Sequence, residues 1–357
     1  MDTMNHAGRN PLRVGACLSL SGRFSRFGRQ AARALQAWAS LDGGAQVLIE
    51  DDASDVSRLR AALPRVAAAS DLLLGPYSTL LMRTAGELAA EAGWLVWNHG
   101  GSGGDVETAH PGHVISVLTP ARRYAEPFLA RLAGSTPAPA ELRIAHGTGR
   151  FGRQVADGAQ AYARQLGIAR PTTSPADTLL TEPPPGDWTL LAAGTFEDDI
   201  RTVTRARSLA NPPQVICAVA AGVREFGEAV TNPAGTFGIA QWFPRAGQRP
   251  QLGPAEEQFL TAYGTRTALP DYPAVQAAAA AAIAAHCARL AGTTRPQPLW
   301  QTASSLETST LFGAFKIDPV TGAQISHRTV LLQWTGTDRL APALRSRSHR
   351  KDKQDPP

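Results

Sequence analysis

The chain has 357 residues, 43% hydrophobic and 18% charged, with a formal net charge of +5. That length exceeds one ordinary domain and suits two of about 150 residues each, and the composition is globular rather than disordered. Five Arg and Lys against two Asp lie in the last 17 residues, leaving about +2 on the body, too little for a nucleic-acid groove, which needs a clustered basic face.

Strand and helix patterns alternate along the chain, the mark of parallel α/β sheets. Arg13–Leu20 reads as a strand ending in the turn Ser21-Gly22, and Arg29–Leu41 as a helix with Ala32, Leu35 and Trp38 on one face. Val47–Glu50 is a strand closed by Asp51-Asp52, Val56–Ala69 a helix, and the apolar run Leu72–Leu74 a short buried strand. A Gly75-Pro76 turn, the hydroxyl cluster Tyr77, Ser78 and Thr79, a helix Leu80–Ala92, a strand Trp94–Trp97 and a Gly/Ser loop follow. Val114–Val117 is a fifth strand, leading to Pro120.

The pattern then restarts: helix Tyr124–Leu132, a break at Thr136–Pro139, strand Leu142–Ala145, a Gly loop and helix Arg153–Gly167. A strand near Asp177–Leu180, a Pro loop Thr181–Gly186, strand Trp188–Ala193, helix Ile200–Ala210, strand Val215–Val219, helix Val223–Val230 and strand Phe237–Trp242 come next. The last third gives helices Ala255–Tyr263 and Tyr272–Ala291, a shorter one near Ser304–Thr308, and strands Phe315–Ile317 and Arg328–Trp334 around the turn Thr321-Gly322. No apolar run approaches the ~20 residues of a membrane span. Ala277–Ala285 is interrupted soon by His286 and Arg289. Cys17, Cys217 and Cys287 are far apart and read as buried free thiols. The polar start MDTMNHAGRNPL carries no export signal. The expected location is therefore cytoplasmic as written, and extracytoplasmic if translation begins upstream.

Two motifs suggest chemistry. Gly100-Gly101-Ser102-Gly103-Gly104 fits G-x-S-x-G, with His99 beside it. A nucleophile elbow needs a long helix directly after the serine, whereas His110-Pro111-Gly112 breaks the chain a few residues on. A ligand loop is the better reading. Gly147-Thr148-Gly149-Arg150-Phe151-Gly152 fits G-x-G-x-x-G between a strand and a helix. Bulky Arg150 and Phe151 and the lack of an acid ending the next strand argue against a dinucleotide. No Gly-Lys pair and no metal-ligand spacing occurs, so no cofactor is implied. Glu197, Asp198 and Asp199 read as helix N-terminal acids. Ser78 or Thr79 reads as an N-cap, and a helix N-terminus with hydroxyls is also a carboxylate seat.

In order and spacing, several segments resemble one family. VGACLSLSGRFSRFG looks like its opening strand and Ser-Gly loop, VLIEDDASD like its second strand, and LLGPYST with AAEAGWLVWN like its most typical segment. IAHGTGRFGRQVADG, LAAGTFEDD and FGAFKIDPVTGAQ are similar to later ones. The family is that of type I periplasmic binding proteins of the Leu/Ile/Val-binding kind, the substrate-binding components of ABC transporters. The resemblance implies two Rossmann-like lobes joined by three crossings and closing on a ligand. Residues 12–120 with 245–325 would form the first lobe and 121–244 with 326–338 the second. Residues 1–11 and 341–357 would be disordered tails.

The resemblance also implies ligand contacts. Ser78 or Thr79, beside Tyr77, and Ser102 would hold a carboxylate. Phe151, Thr195 and Phe196 would line the second lobe, and Phe24 the mouth. Asn98-His99 replaces the usual Ser/Thr-Pro. The acid expected after Val215–Val219 to pair an α-ammonium is replaced by Ala220-Ala221-Gly222. The expected ligand is therefore an amide, an organic acid or an aromatic acid. The expected role is non-catalytic, with a small molecule and ABC permease subunits as partners. Two alternatives stay open: a cytoplasmic ligand sensor of the amide-sensing kind, and a hydrolase using Ser102.

Overall fold

The computed structural model describes residues 11–135, 141–247, 249–264 and 269–343. The chain runs β1 (Leu12–Leu18), α1 (Ser25–Asp42), β2 (Ala45–Asp51), α2 (Val56–Ala69), β3 (Leu72–Leu74), α3 (Thr79–Ala92), β4 (Val96–Asn98), α4 (Asp105–Thr108) and β5 (Val114–Ser116). It continues with α5 (Glu126–Ala133), β6 (Leu142–His146), α6 (Arg150–Gln165), β7 (Thr172–Pro175), α7 (Ala176–Leu179), β8 (Thr189–Ala193), α8 (Phe196–Arg207), β9 (Val215–Ala218), α9 (Glu225–Ala229) and β10 (Phe237–Ala240). Last come α10 (Glu256–Tyr263), α11 (Tyr272–Ala291), α12 (Pro296–Ser305), β11 (Thr308–Thr310), β12 (Gly313–Phe315), β13 (Val330–Trp334) and β14 (Leu340–Pro342).

The chain divides into two compact units. Unit 1 is Met1–Ala121 with Gln241–Arg328, and unit 2 is Arg122–Ala240 with Thr329–Pro357. Unit 1 holds a parallel sheet of order β2-β1-β3-β4-β5. Unit 2 repeats that order as β7-β6-β8-β9-β10 and adds β13 and β14 antiparallel beyond β10. In such a doubly wound sheet the strand order reverses beside the first strand, and ligands bind outside the carboxyl ends of the strands there. The reversal falls between β1 and β3 in unit 1 and between β6 and β8 in unit 2.

Side-chain alternation assigns the two faces of the unit 1 sheet. Val14, Ala16, Leu18, Leu72, Leu74 and Trp97 join a core with α1 and α11, while Cys17, Leu73, Val96 and Val114 join another with α2 and α3. A sheet covered on both sides needs continuous apolar strands, which is why Leu72-Leu73-Leu74 is readable as one. The alanines of α11 let it pack closely on α1; both helices end at a left-handed glycine, Gly43 and Gly292. Among the described residues α11 alone is long and apolar enough to cross a membrane, but it lies mostly buried in the core of unit 1. Trp38 on α1 is 1% exposed, and truncating such a residue to Ala costs about 3–5 kcal/mol.

Four expectations need correction. Asp177–Leu180 is not a strand: the strand is β7, one segment earlier, and Ala176–Leu179 is the short helix α7. The polar sequence TTSP of β7 is partly exposed at a sheet edge and so lacks an apolar run. The helix placed near Ser304–Thr308 spans Pro296–Ser305, opened by prolines at its start, while Thr308 begins β11; proline's fixed φ suits a first helical turn. The strand placed at Phe315–Ile317 is the hairpin partner Gly313–Phe315, with only an isolated bridge from Ile317 to Gln324. Ala341 and Pro342, placed in the C-terminal tail, belong to β14 and pair with β13. Residues 1–10, the Thr136–Pro139 break and residues from 344 onward lie outside the described residues.

Candidate functional site

At the strand ends of unit 1, three loops are built against one another. Asp51, at the end of β2, accepts from the amides of Leu20 (2.8 Å), Ser21 (3.2 Å) and Ala53 (2.8 Å) and from the Ser21 hydroxyl (2.6 Å). Burial opposes its ionisation, but these hydrogen bonds outweigh it and hold its pKa below the ordinary value. Its neighbour Asp52 is fully buried; burial raises its pKa although Ser19 Oγ (2.5 Å) and the Ser54 amide (2.8 Å) donate to it. The pair fixes the loop after β1. Ser54 Oγ accepts from the Phe24 amide at 2.9 Å, so Phe24 sits on a braced turn.

Phe24 meets Tyr77 with ring centroids 6.4 Å apart, and Phe27 stacks on Tyr77 at 4.5 Å. Arg23 lies over Phe24 and Arg26 over Phe27, at 5.7 and 5.6 Å. Phe27 lies outside the helix expected from Arg29; α1 begins four residues earlier, at Ser25, and carries Phe27 in its first turn beside the N-cap Phe24.

The loop after β3 is strained. Ser78 has φ 98° and ψ 148°, a region that costs a non-glycine residue about 1–3 kcal/mol and persists only where the surroundings over-determine it. Here its amide donates to the Gly100 carbonyl (3.1 Å), its carbonyl accepts from Met82 (3.0 Å), and its hydroxyl caps α3 by accepting from Leu81 (3.3 Å). Thr79 Oγ1 accepts from the Gly103 amide at 3.2 Å. The facing loop after β4 needs its glycines: a Cβ on Gly100 would lie 2.5 Å from Tyr77 Cα, and one on Gly101 2.5 Å from Met82 Cβ. The structure thus brings Phe24, Tyr77, Ser78, Thr79 and the Gly100–Gly103 loop together.

Buried Asn98 organises that loop. Its Nδ2 donates to the Gly101 carbonyl (2.7 Å) and to Ser116 Oγ (2.6 Å), and its Oδ1 accepts from the amides of Gly100 (3.0 Å) and Gly101 (2.8 Å). Ser116 in turn donates to the carboxylate of Glu107, itself 3% exposed. His99 is fully buried, and neither ring nitrogen meets a partner in hydrogen-bonding geometry. Burial pulls its pKa down to about 4, against a weaker pull upward from the Gly75 and His99 carbonyls. His99 therefore makes no hydrogen bond to Ser102, and the helix after Ser102 is the four-residue α4. A serine nucleophile has neither its base nor its helix here.

The corresponding edge of unit 2 is built from aromatics and helix caps. Phe151, in the first turn of α6, packs edge-on against Tyr124 at 5.7 Å. The first and last glycines of G-x-G-x-x-G serve packing: a Cβ on Gly147 would strike Asp198 Oδ2 at 2.5 Å, and one on Gly152 the Ala193 carbonyl at 2.3 Å, whereas a Cβ on Gly149 would meet nothing within 4 Å. Thr195 caps α8 in a reciprocal box. Its hydroxyl and amide donate to Asp198 Oδ2 (2.8 and 3.2 Å), and the Asp198 amide returns a bond to that hydroxyl (3.4 Å). The Thr195 hydroxyl is thus taken up by the cap, with half-buried Phe196 beside it.

Asp199 was read as a helix-end acid, but it is 1% exposed and accepts from the Ala220 amide at 2.8 Å. Burial pushes its pKa up to about 7, against the Ala220, Gly194 and Val219 amides that favour the charge. No sequence signal marked it, because its partner lies 21 residues on, at the end of β9. Ala220, Ala221 and Gly222 are buried there and bring no acid of their own.

Two doubly wound sheets of the same strand order, each with loops gathered at its strand ends, are the architecture of a two-lobed binding protein. The sequence matches the periplasmic binding protein family over residues 11–339, and the chain belongs to it. The fold is shared with solved structures of low sequence identity. One is a leucine binding protein, LivK, from Thermotoga maritima MSB8, with a TM-score of 0.79 and 13% identity over 93% of this chain and 98% of that one. Another is the branched-chain amino acid transporter substrate binding protein LivJ from Streptococcus pneumoniae in complex with isoleucine (TM-score 0.74, 13% identity, 92% and 97% covered). A third is a solute binding protein of an ABC transporter from Rhodopseudomonas palustris BisB5 in complex with 3,4-dihydroxybenzoic acid (TM-score 0.73, 12% identity, 91% and 93% covered). No curated protein matches the sequence.

Proposed function

We propose that the two units are the two lobes of a substrate-binding protein that closes on a small carboxylate lacking a free α-ammonium and delivers it to the permease of an ABC importer. An aromatic or other organic acid is the preferred ligand class. The observation that carries this reading is the end of β9, where Ala220-Ala221-Gly222 stands without an acid. The nearest carboxylate, Asp199, is fully buried, held by the Ala220 amide and pushed up to about 7. A buried ammonium without a committed carboxylate partner is costly.

Ser78, Thr79 and Ser102, with the amides around them, are the proposed carboxylate seat of unit 1. Neutral His99 lies under the same loop, and Phe24, Phe27 and Tyr77 supply an aromatic wall. Phe151 and Phe196 are the proposed aromatic contacts of unit 2. That a related fold holds 3,4-dihydroxybenzoic acid supports the class, since that ligand has a carboxylate and an aromatic ring but no ammonium.

A ligand that binds only the folded state raises the melting temperature with its concentration. Benzoate, 4-hydroxybenzoate and 3,4-dihydroxybenzoate are compared with leucine, isoleucine and their amides in a thermal-shift titration. A concentration-dependent rise with the benzoates and none with leucine is expected; a rise with leucine overturns the reading of Ala220-Ala221-Gly222.

A further inference from the structure

The chain passes between the units three times: it leaves unit 1 after Ala121, returns at Gln241 and leaves again after Arg328. One residue beside each passage meets the others in a buried network inside unit 1. Gln241 Oε1 accepts from the Thr119 amide at 2.7 Å, and Thr119 Oγ1 lies 2.6 Å from His327 Nδ1. Thr119, Gln241 and His327 are 1%, 2% and 2% exposed. The far side of the His327 ring is fixed as well. Its Nε2 lies 3.1 Å from the Phe312 carbonyl, and the ring stacks on Phe312 at 4.1 Å with 7° between planes. Because a carbonyl only accepts, Nε2 carries a proton; in a neutral ring Nδ1 then accepts from the Thr119 hydroxyl. Gly313, at φ 140°, makes the room: a Cβ there would lie 3.0 Å from the imidazole.

The first passage is also tied to the candidate ligand loop. The Val117 amide donates to the Asn98 carbonyl (3.1 Å) and the Ala121 amide to the Ser102 carbonyl (2.6 Å). Gln324 closes the circuit from the third passage, donating to the Val117 carbonyl (3.1 Å) and accepting from the His327 amide (3.2 Å). The two ends of the Gly100–Gly103 loop, and all three connections, therefore hang on one buried set of hydrogen bonds. In a low-dielectric interior a satisfied network of this kind is stiff, and removing one member leaves another unpaired.

We propose that Thr119, Gln241 and His327 form a clasp that makes the three connections move as one hinge and couples the Ser102 loop to it. They are positioning residues: they act on binding through the hinge. The dynamic part of the inference stands without the ligand class proposed above; only its last arm rests on that reading.

The test labels one exposed position in each unit, through Gln36→Cys and Gln165→Cys, and records single-molecule energy transfer on the full ligand-free chain. Thr119→Val and Gln241→Met should broaden the inter-unit distance distribution or speed its interconversion roughly threefold or more. Thr119→Ser, which keeps the hydroxyl, should restore wild-type behaviour. Leu190→Ala in β8, destabilising but remote from the clasp, should lower the melting temperature without changing the distribution. With 4-hydroxybenzoate as probe, Thr119→Val should raise the dissociation rate by a similar factor. Wild-type distributions in both Thr119→Val and Gln241→Met, or an equal change in Leu190→Ala, would overturn the clasp. If Thr119→Val does not fold, Gln241→Met carries the decision alone. If the ligand-free arms succeed and the probe does not bind, the ligand class fails and the clasp stands.

Discussion

The two sheet edges share a strand order but solve the problem of buried polarity in opposite ways. Unit 1 places a basic group under its loop and leaves it neutral: His99 is buried without a partner and held near 4. Unit 2 places an acid under its loop and surrounds it with amides, yet burial still lifts Asp199 to about 7. Around them, unit 1 gathers the hydroxyls of Ser78, Thr79 and Ser102 and a glycine loop, while unit 2 gathers Phe151 and Phe196; Ser78 and Thr195 each spend a hydroxyl on a helix cap. On the ligand class proposed above, the first edge would take the anionic group and the second the apolar body.

The contrast predicts stability slopes of opposite sign. Asp199 has a raised folded-state pKa, so its contribution is fully present below the unfolded carboxylate value of 3.8 and is lost as pH rises through about 7. The loss is on the order of 4 kcal/mol. Asp199→Asn should abolish that decline between pH 4 and 8, whatever it costs at pH 5 through the lost acceptor. His99 has a depressed folded-state pKa, so its contribution is present above the unfolded value of 6.5 and is lost as pH falls through about 4. That loss is about 3 kcal/mol, and His99→Gln should flatten the acid limb. Chemical denaturation at half-unit pH steps checks both, with the two units free to unfold separately. A slope in Asp199→Asn equal to that of wild type would break the comparison on the unit 2 side.

Asn98 tests whether the loop of unit 1 is as over-determined as its hydrogen bonds indicate. Asn98→Ala removes four hydrogen bonds at a fully buried position. It should cost about 3 kcal/mol, since buried unpaired groups cost about 1–3 each and some relaxation follows. The comparison is Asn211→Ala in unit 2, whose Nδ2 bonds lie in a partly exposed loop; that change should cost about 1 kcal/mol or less. Equal losses would mean that the glycine loop is not braced.

How far the sequence disclosed all this follows from how local each cause is. Leu72–Leu74 and Tyr272–Ala291 were readable to the residue, because a both-faces-buried strand and a helix bounded by Pro273 and Gly292 carry their signals within themselves. The edge strand β7 was not, since a half-exposed polar strand has no apolar pattern to read. At the candidate site, the cap was legible only as Ser78 or Thr79, and the structure assigns it to Ser78. Asn98 stood out only as part of the Asn98-His99 replacement, Asp199 read as a first-turn acid, and no sequence pattern singled out His327. Each owes its environment to segments far away in sequence: Ser116 for Asn98, Ala220 for Asp199, and Thr119, 208 residues earlier, for His327. Single-sequence patterns do not reach that far.

The smallest effect separates capping from strain, again by setting one edge against the other. Thr195→Ala opens the box on α8 and should cost about 1 kcal/mol, the usual value of a lost N-cap. Ser78→Ala loses the equivalent bond to Leu81 and keeps the strained φ of 98°, so it too should cost about 1 kcal/mol. Ser78→Gly loses the same bond but relieves backbone strain of about 1–3 kcal/mol. It should therefore match or exceed wild-type stability while weakening binding of a carboxylate probe. If Ser78→Gly is instead as destabilised as Ser78→Ala, the loop holds no strain. The positive φ is then a tolerated turn rather than a conformation imposed by the facing glycines.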